Sequence, residues 1–416
     1  MFDPNTGLGL TILRTGMKSD LSGTFTNSGE ASAIQSAKKY GGAATKIVGS
    51  VWSAPANCKD NNSVSKGGHL LASCHESWSD AITKFAKDNG LYAMSAGNEV
   101  DFASCQAHGP PCTVDYDTMV YTAKEMVAFV KVLGPKLKAA GVKLIAPEAS
   151  EWIHAWSNAS ATGSTVSGHP ESSDPLKCGC YSNTPTTTGC AQTCLDGNGY
   201  DYGHWLYKDK DAWAAIDIFG VHEYDSQQAE PWPADVNGGK PDKPVWQTEM
   251  SGVQYWPDGV PAKDIDNGIA VARWIHSALT VGEANVWIWW WYQAGNNEGL
   301  FLDDGSDTKR HYTYGNFSKF IRPGYVRVDV TGSIPANVLL SAYKGTDGTV
   351  VVVAINKNTA AADVPIAIAG GTAPASCTPH VTSATDDLAA KSAVTVSGGT
   401  LTAALASKTV TTFVCK

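Results

Sequence analysis

Two acidic residues stand where a hydrolase would need them. The apolar run 91–95 leads into Ala96-Gly97-Asn98-Glu99-Val100-Asp101, and the run 245–248 leads into Glu249. Each run reads as a strand, so each carboxylate terminates a strand at its C-terminal end, where an α/β barrel places its active site. Glycoside cleavage takes such a pair: one carboxyl protonates the leaving oxygen, and the other attacks or activates water. Barrel mouths also collect acids that catalyse nothing, so the pattern alone leaves that reading open. Trp52, His222 and Tyr224 close strands of their own, although a lone histidine is more often structural. Trp287, Trp289, Trp290, Trp291 and Tyr292 crowd the last strand. Alternation would send Trp287, Trp289 and Trp291 one way and Trp290 and Tyr292 the other. The inward ring nearest the C-terminal end would then floor a sugar site.

The elements that must position these residues follow from periodicity. Strands are expected at 8–15, 46–52, 91–98, 142–149, 216–224, 244–250 and 284–292, with helices at 77–89, 116–140 and 264–280 between them. Near-continuous apolar strands separated by helices mean a parallel sheet covered on its outside. Seven such units are one short of a (β/α)8 barrel. Beyond about residue 322 the composition shifts to Val, Thr, Ala and Gly, with strands expected at 338–343, 349–356, 364–369 and 410–415. That reads as an antiparallel β-domain. The expected domains are therefore 1–322 and 323–416. All fourteen tryptophans precede residue 292, so the second domain lacks the platforms of a sugar-binding module and reads as structural.

Composition narrows the partners. The chain has 416 residues, 43% hydrophobic and 17% charged, with a net charge of −9. An acidic balance argues against a nucleic-acid partner, and no apolar run reaches the length of a membrane span. Ten cysteines suggest disulfides and an oxidising compartment. Cys58–Cys74, Cys105–Cys112 and Cys377–Cys415 are the expected bridges. Cys178, Cys180, Cys190 and Cys194 could pair in any of three ways or close a zinc tetrahedron, though they lack paired C-x2-C knuckles. Asn61, Asn158 and Asn316 open Asn-x-Ser sequons that permit glycosylation. Asp303-Asp304-Gly305-Ser306-Asp307 is either a calcium loop or a solvated acidic turn, and it lacks the distal Glu of an EF-hand. No G-x-S-x-G elbow, Walker loop or H-E-x-x-H helix is present. The reading calls for no metal and no cofactor.

Several longer runs resemble the family 30 glycoside hydrolases, most closely their subfamily 8 glucuronoxylanases. They are Asn316-Phe-Ser-Lys-Phe-Ile-Arg-Pro-Gly-Tyr-Val-Arg-Val-Asp329, Ser341-Ala-Tyr-Lys-Gly345, Val353-Ala-Ile-Asn-Lys357, Gly9-Leu-Thr-Ile-Leu-Arg14, Ala146-Pro-Glu-Ala149 and Trp246-Gln-Thr-Glu249. The resemblance implies a catalytic (β/α)8 TIM barrel with a side β-sandwich, cleaving β-1,4-xylan internally with retention, as a secreted monomer. Glu99 matches the acid/base, Glu249 the nucleophile, and Asn98 the residue that bonds the sugar's 2-hydroxyl. Arg14 and Tyr224 match residues that orient the nucleophile. Trp52, Glu148, His222 and the Trp290–Trp291 pair match positions lining the cleft.

Two departures qualify the expectation. Where glucuronoxylanases carry an Arg-containing loop that clamps the uronate branch, this chain reads Trp291-Tyr-Gln-Ala-Gly-Asn-Asn-Glu-Gly299, with no cation and an added carboxylate, Glu298. Dependence on glucuronate is therefore expected to be relaxed, with Arg310 the one nearby cation that could fold back. The chain also opens at what should be the second barrel strand, without a signal segment, so the first strand is expected to be missing. Alternative readings are an exo-acting xylobiohydrolase, a β-1,6-glucanase, a glucosylceramidase-like hydrolase, or a non-catalytic carbohydrate-binding relic.

Overall fold

A computed structural model describes residues 1–102, 116–156, 199–224, 229–252, 261–295 and 298–416. Cys105–Cys112, the Cys178–Cys194 cluster and Asn158 lie outside the described residues. The chain forms two compact units: Ile12–Met250 with Val281–Trp289, and Met1–Thr11, Ser251–Thr280 and Trp290–Lys416 together.

The first unit is a parallel β-sheet wrapped by helices. Its strands are β1 (Ile12–Met17), β2 (Lys46–Val51), β3 (Ala93–Ser95), β4 (Lys143–Ala149), β5 (Ile218–His222), β6 (Val245–Glu249) and β7 (Val286–Trp287), and they pair in sequence order. The fold is thus the expected α/β barrel with seven strands, and among the described residues β1 and β7 do not pair with each other. The helices are α1 (Glu30–Gly41), α2 (His75–Asp88), α3 (Ala123–Ala139), α4 (Tyr202–Lys208) and α5 (Lys210–Ala215). In α2 the stripe Ile82, Phe85 and Ala86 is buried as its spacing requires. Gly90 follows the helix at φ +60°, a conformation that favours glycine.

One interior layer explains where the chemistry sits. Val48, Ala93, Ile145, Ile218, Trp246 and Ile288 pack together inside the barrel, with Ile12 against them. Side chains two positions on share the same face of a strand. One step up, that face therefore turns polar: Arg14 on β1, Ser50 on β2, Ser95 on β3 and Thr248 on β6. The apolar layer closes the barrel floor and leaves the polar layer at the strands' C-terminal ends.

Two expectations about elements are corrected. Helix α3 begins at Ala123 rather than at residue 116, because Thr122 and Glu125 form a reciprocal capping box, each side chain bonding the other's backbone N–H. Residues 116–122 are thereby free to run as a loop. The run 284–292 is not one long strand: β7 ends at Trp287, and a short separate strand, β8 (Trp291–Gln293), belongs to the other unit. Simple alternation of the tryptophans therefore fails, and Trp287, Ile288 and Trp289 are all buried in succession.

The second unit holds β8, β9 (Gly299–Phe301), helices α6 (Ile265–Thr280) and α7 (Lys309–Ser318), and an antiparallel β-domain. Its strands are β10 (Val326–Val328), β11 (Val338–Lys344), β12 (Val350–Asn356), β13 (Ala362–Ala367), β14 (Ser376–Thr382), β15 (Ala389–Ala390), β16 (Val394–Thr395), β17 (Thr400–Leu405) and β18 (Thr409–Cys415). The main sheet runs β10-β11-β12-β18-β14-β15, with β16 on β14, and β13 pairs β17 separately. Cys377 and Cys415 face each other across β14 and β18 and are bridged. Cys58 and Cys74 are bridged in the first unit. The Asn316 sequon is not a glycan site, because its carboxamide is fully buried, donating to the His380 carbonyl and Thr412 Oγ1 at 3.0 Å each and accepting from Thr382.

Candidate active site

Arg14 organises the polar end of the barrel. Its Nη1 donates to Glu249 Oε2 at 2.7 Å, and its Nη2 donates to Asn98 Oδ1 at 2.6 Å and Glu148 Oε2 at 3.2 Å. One buried guanidinium thus ties the exits of β3, β4 and β6, using the fork that a lysine cannot supply. Its own pKa rises: burial works against the charge, but Glu148 and Glu249 outweigh burial. The guanidinium also lies 5.2 Å from the centre of the Trp52 ring.

Backbone irregularities aim the acids. Glu99 and Glu148 both adopt left-handed backbone conformations, at φ +45° and +60°. Such angles are costly for residues with a Cβ and persist where surrounding structure enforces them. The register shifts between β4 and β5 at Pro147/Ala149, and again between β5 and β6 at Val221/His222. The first shift sets Glu148 off the regular ladder, and the second places His222 opposite Glu249. Gly220 is required here, because a Cβ would come within 2.4 Å of Ile145 and 2.9 Å of the Glu148 side chain. Ser50 Oγ donates to Glu148 Oε2 at 3.0 Å.

Glu249 is 5% exposed and doubly held, by Arg14 and by the Tyr224 hydroxyl, which donates to its Oε1 at 3.0 Å. Glu99 is 8% exposed, and His222 Nδ1 lies 3.4 Å from its Oε1. One carboxylate oxygen from each glutamate and a ring nitrogen of His222 all lie within 4.8 Å of one another. These three are spaced closely enough to grip a metal ion. However, Arg14 already supplies the positive charge at Glu249, so the cluster is better suited to moving a proton.

The two carboxyls differ in what surrounds them. Burial pushes Glu99 up to about 8, with the Asp101 carboxylate adding to the rise and Arg14 opposing it. Burial also raises Glu249, against the pull of His222 and Arg14. Burial lowers His222, favouring the neutral ring.

The barrel unit therefore gathers Glu99, Glu249, Asn98, Arg14, Glu148, His222 and Tyr224 at one end, with Trp52 against Arg14. Trp290 and Trp291 belong to the other unit, where their rings meet edge-on at 5.2 Å and Trp291 is 42% exposed. Tyr116 escaped sequence reasoning. Its hydroxyl bonds Glu99, and burial with the nearby acids raises its pKa. The missed signal was the Thr122-x-x-Glu125 capping box, which releases residues 116–122 from the helix and lets Tyr116 reach the site.

Comparison with known proteins agrees with this geometry. Residues 324–413 match the glycosyl hydrolase family 30 β-sandwich domain. A glucuronoxylanase of Bacillus subtilis (strain 168) is 28% identical over 418 residues, covering 98% of this chain and 81% of its own. Among solved structures, a glycoside hydrolase family 30 subfamily 8 xylanase from Clostridium acetobutylicum superposes with a TM-score of 0.71 at 26% identity, over 98% of this chain and 90% of the other. A family 30 endoxylanase from Clostridium papyrosolvens C71 gives 0.69 at 25% identity, with coverage of 98% and 90%. The resemblance drawn from the sequence holds across nearly the whole chain.

Proposed function

We propose that this glycoside hydrolase, similar along almost its entire length to family 30 xylanases, cleaves β-1,4-xylan internally with retention and without requiring a glucuronate branch. The observation that carries the reading is the Glu99–Glu249 pair, close enough for the retaining geometry and differently held. Arg14 and Tyr224 bond both oxygens of Glu249, favouring its carboxylate form against burial and aiming it at the anomeric carbon. Glu99 keeps its proton and delivers it to the leaving glycosidic oxygen, giving a glycosyl ester on Glu249. Once that proton has gone, Glu99 accepts one from the water that hydrolyses the ester, and the cycle closes. Asn98, its Oδ1 engaged by Arg14, presents its amide N–H groups to the 2-hydroxyl.

Relaxed branch dependence rests on the cations. Loop 293–299 contains no Lys or Arg. Arg310 is fully buried, its Nε donating to the Gly299 carbonyl and its Nη1 to Asn267 Oδ1 at 3.3 Å. Burial lowers it to about 10, and Glu298 opposes that fall. It serves the base of its own loop. The two disulfides among the described residues suit secretion into an oxidising compartment.

The test is product analysis on methylglucuronoxylan, arabinoxylan, unbranched xylooligosaccharides and β-1,6-glucan, with the anomer of the first product read by NMR. A ladder of β-anomeric xylooligosaccharides from both branched and unbranched xylan is expected. Release of xylobiose alone from chain ends, or cleavage confined to glucan, would replace the endo-xylanase reading. A charge-assisted bond contributes roughly 1.5–3 kcal/mol, about tenfold to a hundredfold. A hundredfold preference in kcat/KM for the branched polymer would mean that another cation clamps the uronate.

A further inference from the structure

Two residues beyond Glu99 the chain buries a carboxylate that the reaction above does not use. Asp101 is 1% exposed. Its Oδ1 accepts the Ser150 backbone N–H at 2.7 Å, and its Oδ2 lies 2.6 Å from His154 Nδ1, with both side chains wholly buried. His154 in turn stacks on Tyr200, ring centres 3.9 Å apart and 17° from parallel, while its Nε2 lies 3.4 Å from Glu151 Oε2. The Tyr202 hydroxyl holds the intervening backbone by donating to the Val100 and Tyr121 carbonyls. Every residue named belongs to the barrel unit.

This cluster has a mechanical and an electrostatic consequence. Ser150 directly follows β4, so Asp101 fastens the β3 exit, which carries Asn98 and Glu99, to the β4 exit, which carries Glu148. It also places a second acid beside Glu99 in a region that water screens weakly. We propose that Asp101, anchored by His154 and Ser150, is a positioning residue that both sets the β3 exit and holds the proton on Glu99 until the leaving oxygen takes it. The proposal rests on Glu99 being the acid/base.

The other groups facing Glu99 are Arg14 from β1, Tyr116 from the segment before α3, Glu148 from β4, His222 from β5 and Glu249 from β6. Arg14 pulls the proton off but is shared among Glu148, Glu249 and Asn98. After burial, Asp101 contributes most to Glu99's raised pKa, ahead of Glu148. Burial would raise Asp101 itself, but the His154 hydrogen bond and charge and the Ser150 amide outweigh burial and hold it below the usual carboxylate range. Asp101 therefore remains an anion while Glu99 is protonated.

The experiment replaces Asp101 by Asn, which keeps the shape and an acceptor for Ser150 but removes the charge. Glu99 is titrated by carboxyl infrared difference spectra against Glu99→Gln, and kcat/KM is measured across pH. In Asp101→Asn the Glu99 carboxyl should titrate about one pH unit lower, and the basic limb of kcat/KM should fall by the same amount. A limb unchanged in position, with activity reduced equally at all pH values, would reduce Asp101 to a structural residue and overturn the proposal. An infrared shift without a kinetic one would leave the proton-holding role intact and refute the acid/base assignment instead. Should Asp101→Asn fail to fold, His154→Phe keeps a ring on Tyr200 but removes the hydrogen bond and the charge that hold Asp101 ionised, so Asp101 takes up a proton and Glu99 should titrate lower; an unchanged Glu99 titration overturns the proposal.

Discussion

The polar end of the barrel and the interior of the β-domain are both buried, and they are built on opposite principles. At the barrel's strand exits, Arg14, Glu99, Glu148, His222 and Glu249 are packed into one small volume, with two of the glutamates in left-handed backbone. In the β-domain, Val338, Leu340, Val352, Val364, Leu401, Leu405 and Phe413 pack around the Cys377–Cys415 bridge. Burying charge costs several kcal/mol per ion before its partners compensate, whereas apolar burial stabilises by about 25 cal/mol per Å². The first region gives up stability for chemistry, and the second contributes stability without chemistry. If that contrast is right, substitutions in the two regions should separate activity from stability.

The largest effect expected is on activity alone. Glu249→Gln should lower kcat by roughly four orders of magnitude or more, with the thermal midpoint unchanged or higher. Steady-state rates on xylan in contaminant-free protein, with a melting curve alongside, check both halves. Near-native turnover would misplace the nucleophile. A collapse in melting temperature would show that the charged cluster is also what holds the barrel.

The converse substitution lies in the sheet. Phe413 is 1% exposed in that core, so Phe413→Ala should cost about 3–5 kcal/mol. Urea unfolding followed by fluorescence measures it. Any protein still folded should retain native kcat/KM. Activity lost in parallel with signal-corrected folded fraction agrees with the contrast, and activity lost ahead of it breaks the contrast.

Opening the Cys377–Cys415 bridge should act in the same direction with a similar or smaller size. The two cysteines are 38 residues apart, for which chain-entropy reasoning gives about 4 kcal/mol. The double Cys→Ser variant, compared by denaturant midpoint under oxidising conditions, tests this. Under reducing conditions the difference from the reduced parent should vanish.

A pH dependence sharpens the comparison within the barrel. Folded Glu99 holds its proton to about pH 8, whereas an unfolded glutamate releases it near 4.5. Between those values the native state binds the extra proton, so its stability is greatest below about pH 4.5 and falls as the pH rises towards 8. Glu99→Gln should remove this slope and be more stable than the parent at pH 8, with little difference at pH 4.5. Equal slopes in the two proteins, from urea titrations at several pH values, would mean that Glu99 is ionised throughout. For the same reason kcat/KM of the parent should decline above about pH 8.

Much of this was legible in the residues. The strand ends that carry Glu99 and Glu249 were readable because parallel strands buried on both faces are continuous apolar runs, and the first polar residues after them must lie at the sheet's edge. The bridge Cys58–Cys74 was readable because its cysteines bracket a turn-rich segment, whereas Cys377–Cys415, also expected, joins register partners of two paired strands rather than the ends of a loop. Sequence also supplied the absence of a cation in loop 293–299, since charge is a property of composition and needs no coordinates.

Other features were decided only in three dimensions. That Arg14 reaches three exits at once depends on strands 84 to 235 residues apart closing around one point. The bulges that aim Glu148 and pair His222 with Glu249 arise from mismatch between neighbouring strands, which no single strand's pattern contains. Tyr116 and the Asp101–His154 pair join the site through loops whose courses local propensity does not set. Local sequence thus determined which elements form and which residues end them. Packing determined which of those ends meet, because contact between distant residues depends on register, twist and burial acting together.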